Sequence, residues 1–141
     1  MKIPFSEEDR VDEPISPYAA TKRMGELLCY TYSHLFQLPV SCLRFFTVYG
    51  PRGRPDMAPY LFTDAIYHGK TITLYGDGST QRDYTYVGDI VSGIIAALDR
   101  PQHFEIYNLG NTIPISLHEF VSIIESVVGR KAIIERKDLF P

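Results

Sequence analysis

Apolar and polar residues follow two periodicities along the chain, one typical of helices and one typical of short strands. The longest stretch with helical periodicity covers residues 18–37, after a polar, proline-containing segment that predicts a loop. Pro17 suits the first turn of a helix and Ser16 suits its N-cap. We therefore predict a helix here whose packing stripe, at helical spacing, consists of Ala20, Met24, Leu27, Leu28, Thr31 and Leu35.

Further along, short apolar runs and helical patterns follow one another. Residues 40–46 are rich in strand formers and predict a strand buried on both faces, so helix 18–37 and this strand form one crossover step of a parallel sheet. Asp89 is predicted to cap a helix whose inner face includes Leu98, and Ser116 with Glu119 forms a capping box. The remaining predicted elements are helices 58–68, 90–98 and 117–128, and extended segments 71–75, 82–87, 105–109 and 131–135. This order predicts the α/β class.

Composition narrows the function classes. The 141 residues are 45% hydrophobic, which is typical of a globular domain, and the net charge of −3 gives no indication of nucleic-acid binding. No run of 18 apolar residues is present, so we expect no membrane-spanning helix. Cys29 and Cys42 lie in apolar patterns and predict free thiols in a reducing compartment, the cytoplasm. The four histidines are scattered, so we expect no metal site.

Tyr18 and Lys22 are the first candidates for chemistry. They are four residues apart, so a helix places both side chains on one face. A nearby ammonium favours the phenolate form of a tyrosine, which would let the pair exchange a proton with a substrate hydroxyl near neutral pH. The alternative is structural, with a half-buried tyrosine and a lysine whose stem packs along it.

The segment that follows strand 40–46 is a second candidate. Residues 47–56 contain two glycines and two arginines. Ligands of open α/β sheets bind beyond the carboxyl ends of the strands, which is where this segment lies. The alternative is a solvated basic turn.

Five motifs together resemble one known family. They are Tyr18-Ala-Ala-Thr-Lys22, Leu43-Arg-Phe-Phe-Thr-Val-Tyr-Gly-Pro51, Leu74-Tyr-Gly-Asp-Gly78, Arg82-Asp-Tyr-Thr-Tyr-Val-Gly-Asp89 and Tyr107-Asn-Leu-Gly110. The chain resembles the extended short-chain dehydrogenase/reductases that act on nucleotide sugars. The run from Arg44 to Ala58 is most similar to UDP-glucuronate 4-epimerases.

The resemblance implies a fold and a cofactor. It implies the C-terminal part of a Rossmann-like NAD(P)-binding fold with the small substrate-binding subdomain, in one truncated domain. Residues 1–50 would carry the catalytic helix and the following parallel strand, and residues 51–141 mainly the nucleotide-sugar-binding part. The family's Gly-rich pyrophosphate cradle is absent from these residues, so we expect a fragment that is inactive alone. The complete enzyme would be a homodimer that uses NAD.

The resemblance also assigns roles. Tyr18 would take a proton from the sugar 4-hydroxyl as hydride passes to NAD, and Lys22 would support it and bind the nicotinamide ribose. Phe46 and Pro51 would lie near the nicotinamide. The substrate, a UDP-sugar of the glucuronate type, would meet Thr47 and Arg54 at its carboxylate, Met57, Thr73 and Tyr75 around its uridine, and Arg82 at its diphosphate.

Two other functions stay open at this point. A nucleotide-sugar dehydratase or decarboxylase of the same family would share these motifs, because its distinguishing acidic pair lies in a region that this sequence does not contain. The other function belongs to a different class: a non-catalytic remnant or partner-binding fragment. An exposed edge of a parallel sheet recruits partners, so such a role is physically reasonable.

Overall fold

The computed structural model describes residues 5–138, in which helices and strands alternate. In chain order the elements are α1 (Pro17–Phe36), β1 (Val40–Phe45), β2 (Thr47–Tyr49), α2 (Ala58–His68), β3 (Thr71–Tyr75), β4 (Gln81–Tyr86), α3 (Val87–Asp99), β5 (Phe104–Leu109), β6 (Pro114–Ser116), α4 (Leu117–Val128) and β7 (Ile133–Lys137). The predicted α/β class is confirmed.

Two compact units make up the chain, and each is assembled from two separate segments. The first comprises the residues up to Phe46 together with Gly88–Gly110. The second comprises Thr47–Val87 together with the residues from Asn111 onward. The functional division into residues 1–50 and 51–141 stays a prediction.

The first unit is built on the parallel pair β1–β5. Val40 lies opposite Phe104 and the register continues to Phe45 opposite Leu109. α1 packs against β1, and α3 approaches β5 closely at Gly93, where an added Cβ would lie 3.0 Å from the Leu109 side chain. The predicted crossover from helix to parallel strand is therefore confirmed.

The inner face of α1 is more polar than its sequence pattern predicts. Ser33 is completely buried, with its hydroxyl 2.8 Å from the carbonyl oxygen of Leu38 and 2.6 Å from that of His103. The predicted packing stripe instead lies on the outer face of this unit. Its large members are 52–65% exposed: Met24, Leu27, Leu28 and Leu35. The prediction that this stripe forms the packing surface is wrong for the described unit.

The second unit contains the larger hydrophobic core. β2 and β4 pair in parallel, β4 and β6 pair antiparallel, and β3 and β7 pair in parallel. α2 packs against α4, and Phe120 of α4 stacks on Tyr84 of β4 with ring centroids 4.4 Å apart. The buried core residues are Ile66, Ile72, Leu74, Phe120, Val121 and Ile124.

Most of the helix bounds and caps predicted for the second unit are confirmed. α2 and α4 have the predicted bounds, and each is followed by a left-handed glycine, Gly69 or Gly129. The Ser116 hydroxyl accepts the backbone N–H of Glu119 at 3.1 Å. The three-residue strands β2 and β6 were not predicted, because so short a segment shows no periodicity.

The start and the inner face of α3 differ from the prediction. The helix begins at Val87, so Asp89 lies within its first turn and not at its cap. Leu98, predicted to face inward, is 73% exposed. Within residues 5–138, no helix has the length and apolar character that crossing a bilayer requires.

Candidate active site

A cavity of about 570 Å³ opens in the first unit beside the beginning of α1. Tyr18 and Lys22 line it from the helix, and Phe46 lines it from the residue after β1. Phe5 stacks on Phe46 with ring centroids 6.3 Å apart, which gives the cavity an aromatic wall. The structure thus brings together three residues that the sequence predicted for one site.

Helix capping fixes where Tyr18 and Lys22 lie. The Ser16 hydroxyl accepts the backbone N–H of Ala19 at 3.1 Å, and Pro17 opens the helix. Tyr18 is 71% exposed, so its phenol is accessible from the cavity. The ammonium nitrogen of Lys22 lies 5.1 Å from the centroid of the Tyr18 ring. The phenol is therefore exposed with an ammonium beside its ring, and a role of the pair in proton exchange stays a prediction.

Behind this pair lies a charged cluster that the sequence analysis missed. Arg44 of β1 donates from Nε to Oε1 of Glu26 at 2.6 Å and from Nη2 to Oε2 at 2.8 Å. Arg23 donates to the same carboxylate at 3.1 Å and to Asp12 at 3.2 Å. The bonds from Arg44, and then those from Arg23, hold the pKa of Glu26 below its ordinary value despite partial burial. The three-residue spacing from Arg23 to Glu26 was the available signal.

Cys42 of the first unit is a poor candidate for nucleophilic chemistry. Cys29 and Cys42 are both free. Burial raises the pKa of Cys42 to about 11, and the neighbouring Cys29 adds to the rise. Because the thiolate is the reactive form, Cys42 is inert near neutral pH. Within residues 5–138, no three His, Cys, Asp or Glu side chains are arranged to hold a metal ion.

The remaining predicted site residues lie in the second unit. Thr47 begins β2, where it pairs with Tyr84, and Pro51 lies in the exposed loop that follows. Met57 is the N-cap residue of α2, with extended backbone. Exposed Arg82 lies on β4. These positions come from separate elements of one unit, and their roles in binding stay predictions.

β3 carries two more of the predicted substrate residues. Thr73 is half-buried, and its hydroxyl lies 3.3 Å from Oε2 of Glu135 on β7. Tyr75, at the end of the strand, is 40% exposed.

Arg54 is held within its own loop. Its guanidinium binds the Asp56 carboxylate through two hydrogen bonds, one of them from Nε to Oδ1 at 3.0 Å. The side chain of Arg54 is 75% exposed. One charge of this exposed loop is therefore oriented by its neighbour, and the role of the loop in binding stays a prediction.

Asp83 is a second residue that the sequence analysis missed. Its carboxylate accepts the backbone N–H of Asn111 at 2.9 Å and of Thr112 at 2.8 Å, and the Thr85 hydroxyl at 3.0 Å. Thr112 has a positive φ of 64°, so the turn it forms is strained. Asp83 fixes this turn next to Arg82, and nothing in the local sequence pattern signals the contact.

A parallel strand pair, packed against a preceding helix that exposes Tyr-x-x-x-Lys, is typical of a Rossmann-like α/β protein. Residues 1–110 match the NAD dependent epimerase/dehydratase family, and the chain belongs to that family.

Relatives and solved structures agree with this assignment. UDP-glucuronate 4-epimerase of Thermodesulfobacterium geofontis is 52% identical, over 92% of this chain and 40% of its own length. UDP-glucuronate 4-epimerase 5 of Arabidopsis thaliana is 47% identical, over 99% of this chain and 35% of its own length. The Bacillus cereus UDP-glucuronic acid 4-epimerase, in its crystal structure with UDP-glucuronic acid and NAD, is 37% identical in sequence. The two structures match with a TM-score of 0.89 over 99% of this chain and 45% of the Bacillus cereus chain. The chain therefore spans less than half the length of these relatives.

Proposed function

We propose that this chain is the part of an NAD-dependent epimerase that carries the catalytic tyrosine and the nucleotide-sugar-binding residues. The reaction would invert C4 of UDP-glucuronate to give UDP-galacturonate. The observation that carries the proposal is the exposed Tyr18–Lys22 pair in a cavity with Phe46. Relatives named UDP-glucuronate 4-epimerase, at 47% and 52% identity, support the choice of substrate.

The residues of the first unit suit the nicotinamide end of NAD. The Lys22 ammonium can donate to ribose hydroxyls, and Phe46 offers an aromatic wall of the same cavity. Pro51, which belongs to the second unit, is assigned to the nicotinamide by the resemblance alone. No Gly-x-x-Gly-x-x-Gly turn for the pyrophosphate occurs in the 141 residues. When bound, NAD supplies the hydride acceptor and donor for C4.

Tyr18 and Lys22 would handle the proton. The Tyr18 oxygen takes the proton of the sugar 4-hydroxyl as C4 is oxidised and returns it when C4 is reduced from the other face. Lys22 would support this as a cation beside Tyr18, with its ammonium nitrogen 5.1 Å from the ring centroid. General acid–base catalysis of this kind contributes about 10²- to 10⁴-fold to a rate.

The second unit would hold the nucleotide sugar. We assign the uronate carboxylate to Arg54 and Thr47, because a guanidinium forms paired hydrogen bonds to a carboxylate. Arg82 would bind the diphosphate by the same charge complementarity. Met57, Thr73 and Tyr75 would border the uridine. The complete enzyme would be a cytoplasmic homodimer, in a compartment that keeps Cys29 and Cys42 reduced.

A chimera tests the proposal. Residues 1–141 replace the matching part of the Bacillus cereus enzyme, and the products formed from UDP-glucuronate are followed by NMR spectroscopy. We expect UDP-galacturonate. Loss of water or of carbon dioxide would instead favour the dehydratase or decarboxylase alternative, which has some support because the Bacillus anthracis dTDP-glucose 4,6-dehydratase is 31% identical with a TM-score of 0.87. A folded chimera without any product would contradict the proposed activity.

A further inference from the structure

Three chemically active side chains follow one another at four-residue intervals on α1. Tyr18, Lys22 and Glu26 lie on successive turns of one helix face. Lys22 therefore has a phenol one turn before it and a carboxylate one turn after it. Oppositely charged side chains at this spacing attract each other on a helix, so a Lys22–Glu26 ion pair is the contact to expect from the sequence.

The structure shows a different pairing. Glu26 is only 14% exposed, and both of its carboxylate oxygens accept hydrogen bonds from Arg44, with a third bond from Arg23. Within residues 5–138, no carboxylate lies within 4.0 Å of the Lys22 ammonium, which instead lies 5.1 Å from the Tyr18 ring centroid.

We propose that Arg44 is a positioning residue for the catalytic pair. By binding Glu26 through both oxygens, it keeps that carboxylate away from Lys22 and leaves the ammonium beside Tyr18. This inference rests on the proposed roles of Tyr18 and Lys22. It assigns a positioning role to Arg44 and Glu26, which line the same cavity as Tyr18 and Lys22.

Arginine is the suitable residue for this task. Its planar guanidinium presents two parallel N–H groups to a carboxylate, whereas a lysine ammonium is a point charge that binds one oxygen at a time. Arg44 projects from β1, a strand of the parallel sheet, so its position is set by backbone pairing and not by α1 itself. The strand thereby controls which partner the helix lysine takes.

NMR spectroscopy of the 141-residue chain tests the inference without any activity measurement. Protons on the Lys22 side chain lie over the Tyr18 ring, and the ring current shifts their signals upfield. Arg44→Gln frees one oxygen of Glu26, and Arg23→Gln with Arg44→Gln frees both. We expect the Lys22 signals to move downfield in the single variant and further in the double variant, as the ammonium turns to Glu26.

Removing the carboxylate is the decisive step. Glu26→Gln added to Arg44→Gln should return the Lys22 signals upfield, because no charge then competes with the Tyr18 ring. Unchanged Lys22 signals in folded Arg44→Gln, or a downfield shift that Glu26→Gln fails to reverse, would overturn the inference. Arg100→Gln is the matched control, since it removes an exposed positive charge of the same unit and should leave the Lys22 signals in place. If Arg44→Gln does not fold, Arg44→Lys replaces it and should give a smaller shift of the same sign.

Kinetics of the chimera give the second readout. Arg44→Gln should lower kcat for UDP-glucuronate about tenfold or more with KM unchanged, and Glu26→Gln should restore most of the loss. kcat is compared per folded chimera, because Glu26→Gln also removes a largely buried charge and can restore stability by itself. An inactive chimera would contradict the proposed function, whereas the Lys22 signals test Arg44 independently.

Discussion

Arg54 and Asp56 form an ion pair with two hydrogen bonds inside one exposed loop. Nε of Arg54 donates to Oδ1 at 3.0 Å, and Nη2 donates to Oδ2. The bonds from Arg54 lower the pKa of Asp56 below its usual value. The guanidinium of Arg54 thus faces the Asp56 carboxylate edge-on. Binding of a uronate would use the same geometry. The substrate carboxylate would therefore compete with Asp56 for the guanidinium or share it.

Arg54→Ala should lower the turnover of an acidic sugar nucleotide much more than that of a neutral one. A charge-assisted hydrogen bond is worth roughly 1.5–3 kcal/mol, or about 10- to 100-fold in an equilibrium constant. We expect kcat/KM of the chimera for UDP-glucuronate to fall by about that factor and kcat/KM for UDP-glucose to be almost unchanged.

Arg52→Ala is the control for this experiment, since Arg52 is exposed in the same loop and its loss should matter little. An equal fall on both sugars for Arg54→Ala would assign the arginine to the diphosphate or to the loop itself. The uronate assignment would then be withdrawn, and the broader nucleotide-sugar assignment would remain.

Tyr18→Phe should abolish turnover in the chimera and leave the affinity for the nucleotide sugar nearly unchanged. The substitution removes only the oxygen that exchanges the proton, and such an acid–base group contributes about 10²- to 10⁴-fold. The measurements are kcat and the calorimetric Kd of UDP-glucuronate. A large loss of affinity with activity retained would make Tyr18 a structural residue.

The 141-residue chain should bind NAD weakly or not at all. Its cavity would contact only the nicotinamide end under the proposed roles, and its sequence lacks the Gly-rich turn whose backbone N–H groups bind pyrophosphate. Calorimetry with millimolar NAD should show no saturable binding, whereas the chimera should bind. Tight binding by residues 1–141 would mean that another part of the chain holds the phosphates.

Gly78→Ala should destabilise the second unit more than Gly129→Ala. Both glycines have a positive φ, of 82° and 72°, and the alanine strain alone costs about 1 kcal/mol. A Cβ at Gly78 would also lie 2.6 Å from the His118 ring, whereas one at Gly129 would meet nothing within 4 Å. Urea unfolding of the two variants measures the difference, and equal losses would show that His118 moves aside without cost.

Lowering the pH should reduce the stability of the first unit, because Glu26 becomes protonated. Its pKa in the fold lies below the ordinary value of 4.5, mainly because of the hydrogen bonds from Arg44. The stabilisation is therefore present above about pH 4.5 and is lost as the pH falls through the lowered pKa. Glu26→Gln should reduce the dependence of the unfolding free energy on pH in this acidic range. Glu105→Gln, at an exposed carboxylate of the same unit, is the control.

Local signals in the sequence predicted most of the elements. The caps at Ser16 and Ser116 and the terminal glycines of α2 and α4 act within one turn of the chain, so neighbouring residues suffice to identify them. The resemblance, and not a local pattern, grouped Phe46 with Tyr18 and Lys22. The three residues line one cavity because a helix and the strand after it are adjacent in a crossover.

The failures share a cause, which is that periodicity identifies a face but not its partner. α1 has an apolar stripe, yet β1 receives the face that includes Glu26 and Ser33, because Arg44 and two backbone carbonyls satisfy their polar groups. Pairings such as Asp83 with the Thr112 backbone depend on distant segments meeting in space. No local pattern encodes them.

The discontinuous units have a consequence for how the chain acquires its fold. β1 is synthesised before its partner β5, which follows only after the first segment of the second unit, and β3 likewise precedes its partner β7 by three further strands and two helices. Each of these parallel pairings must close a long loop before any contact compensates for the entropy lost. During synthesis on the ribosome, the helices would therefore form before the parallel strands pair. Until then the unpaired strand edges would be exposed and prone to aggregation.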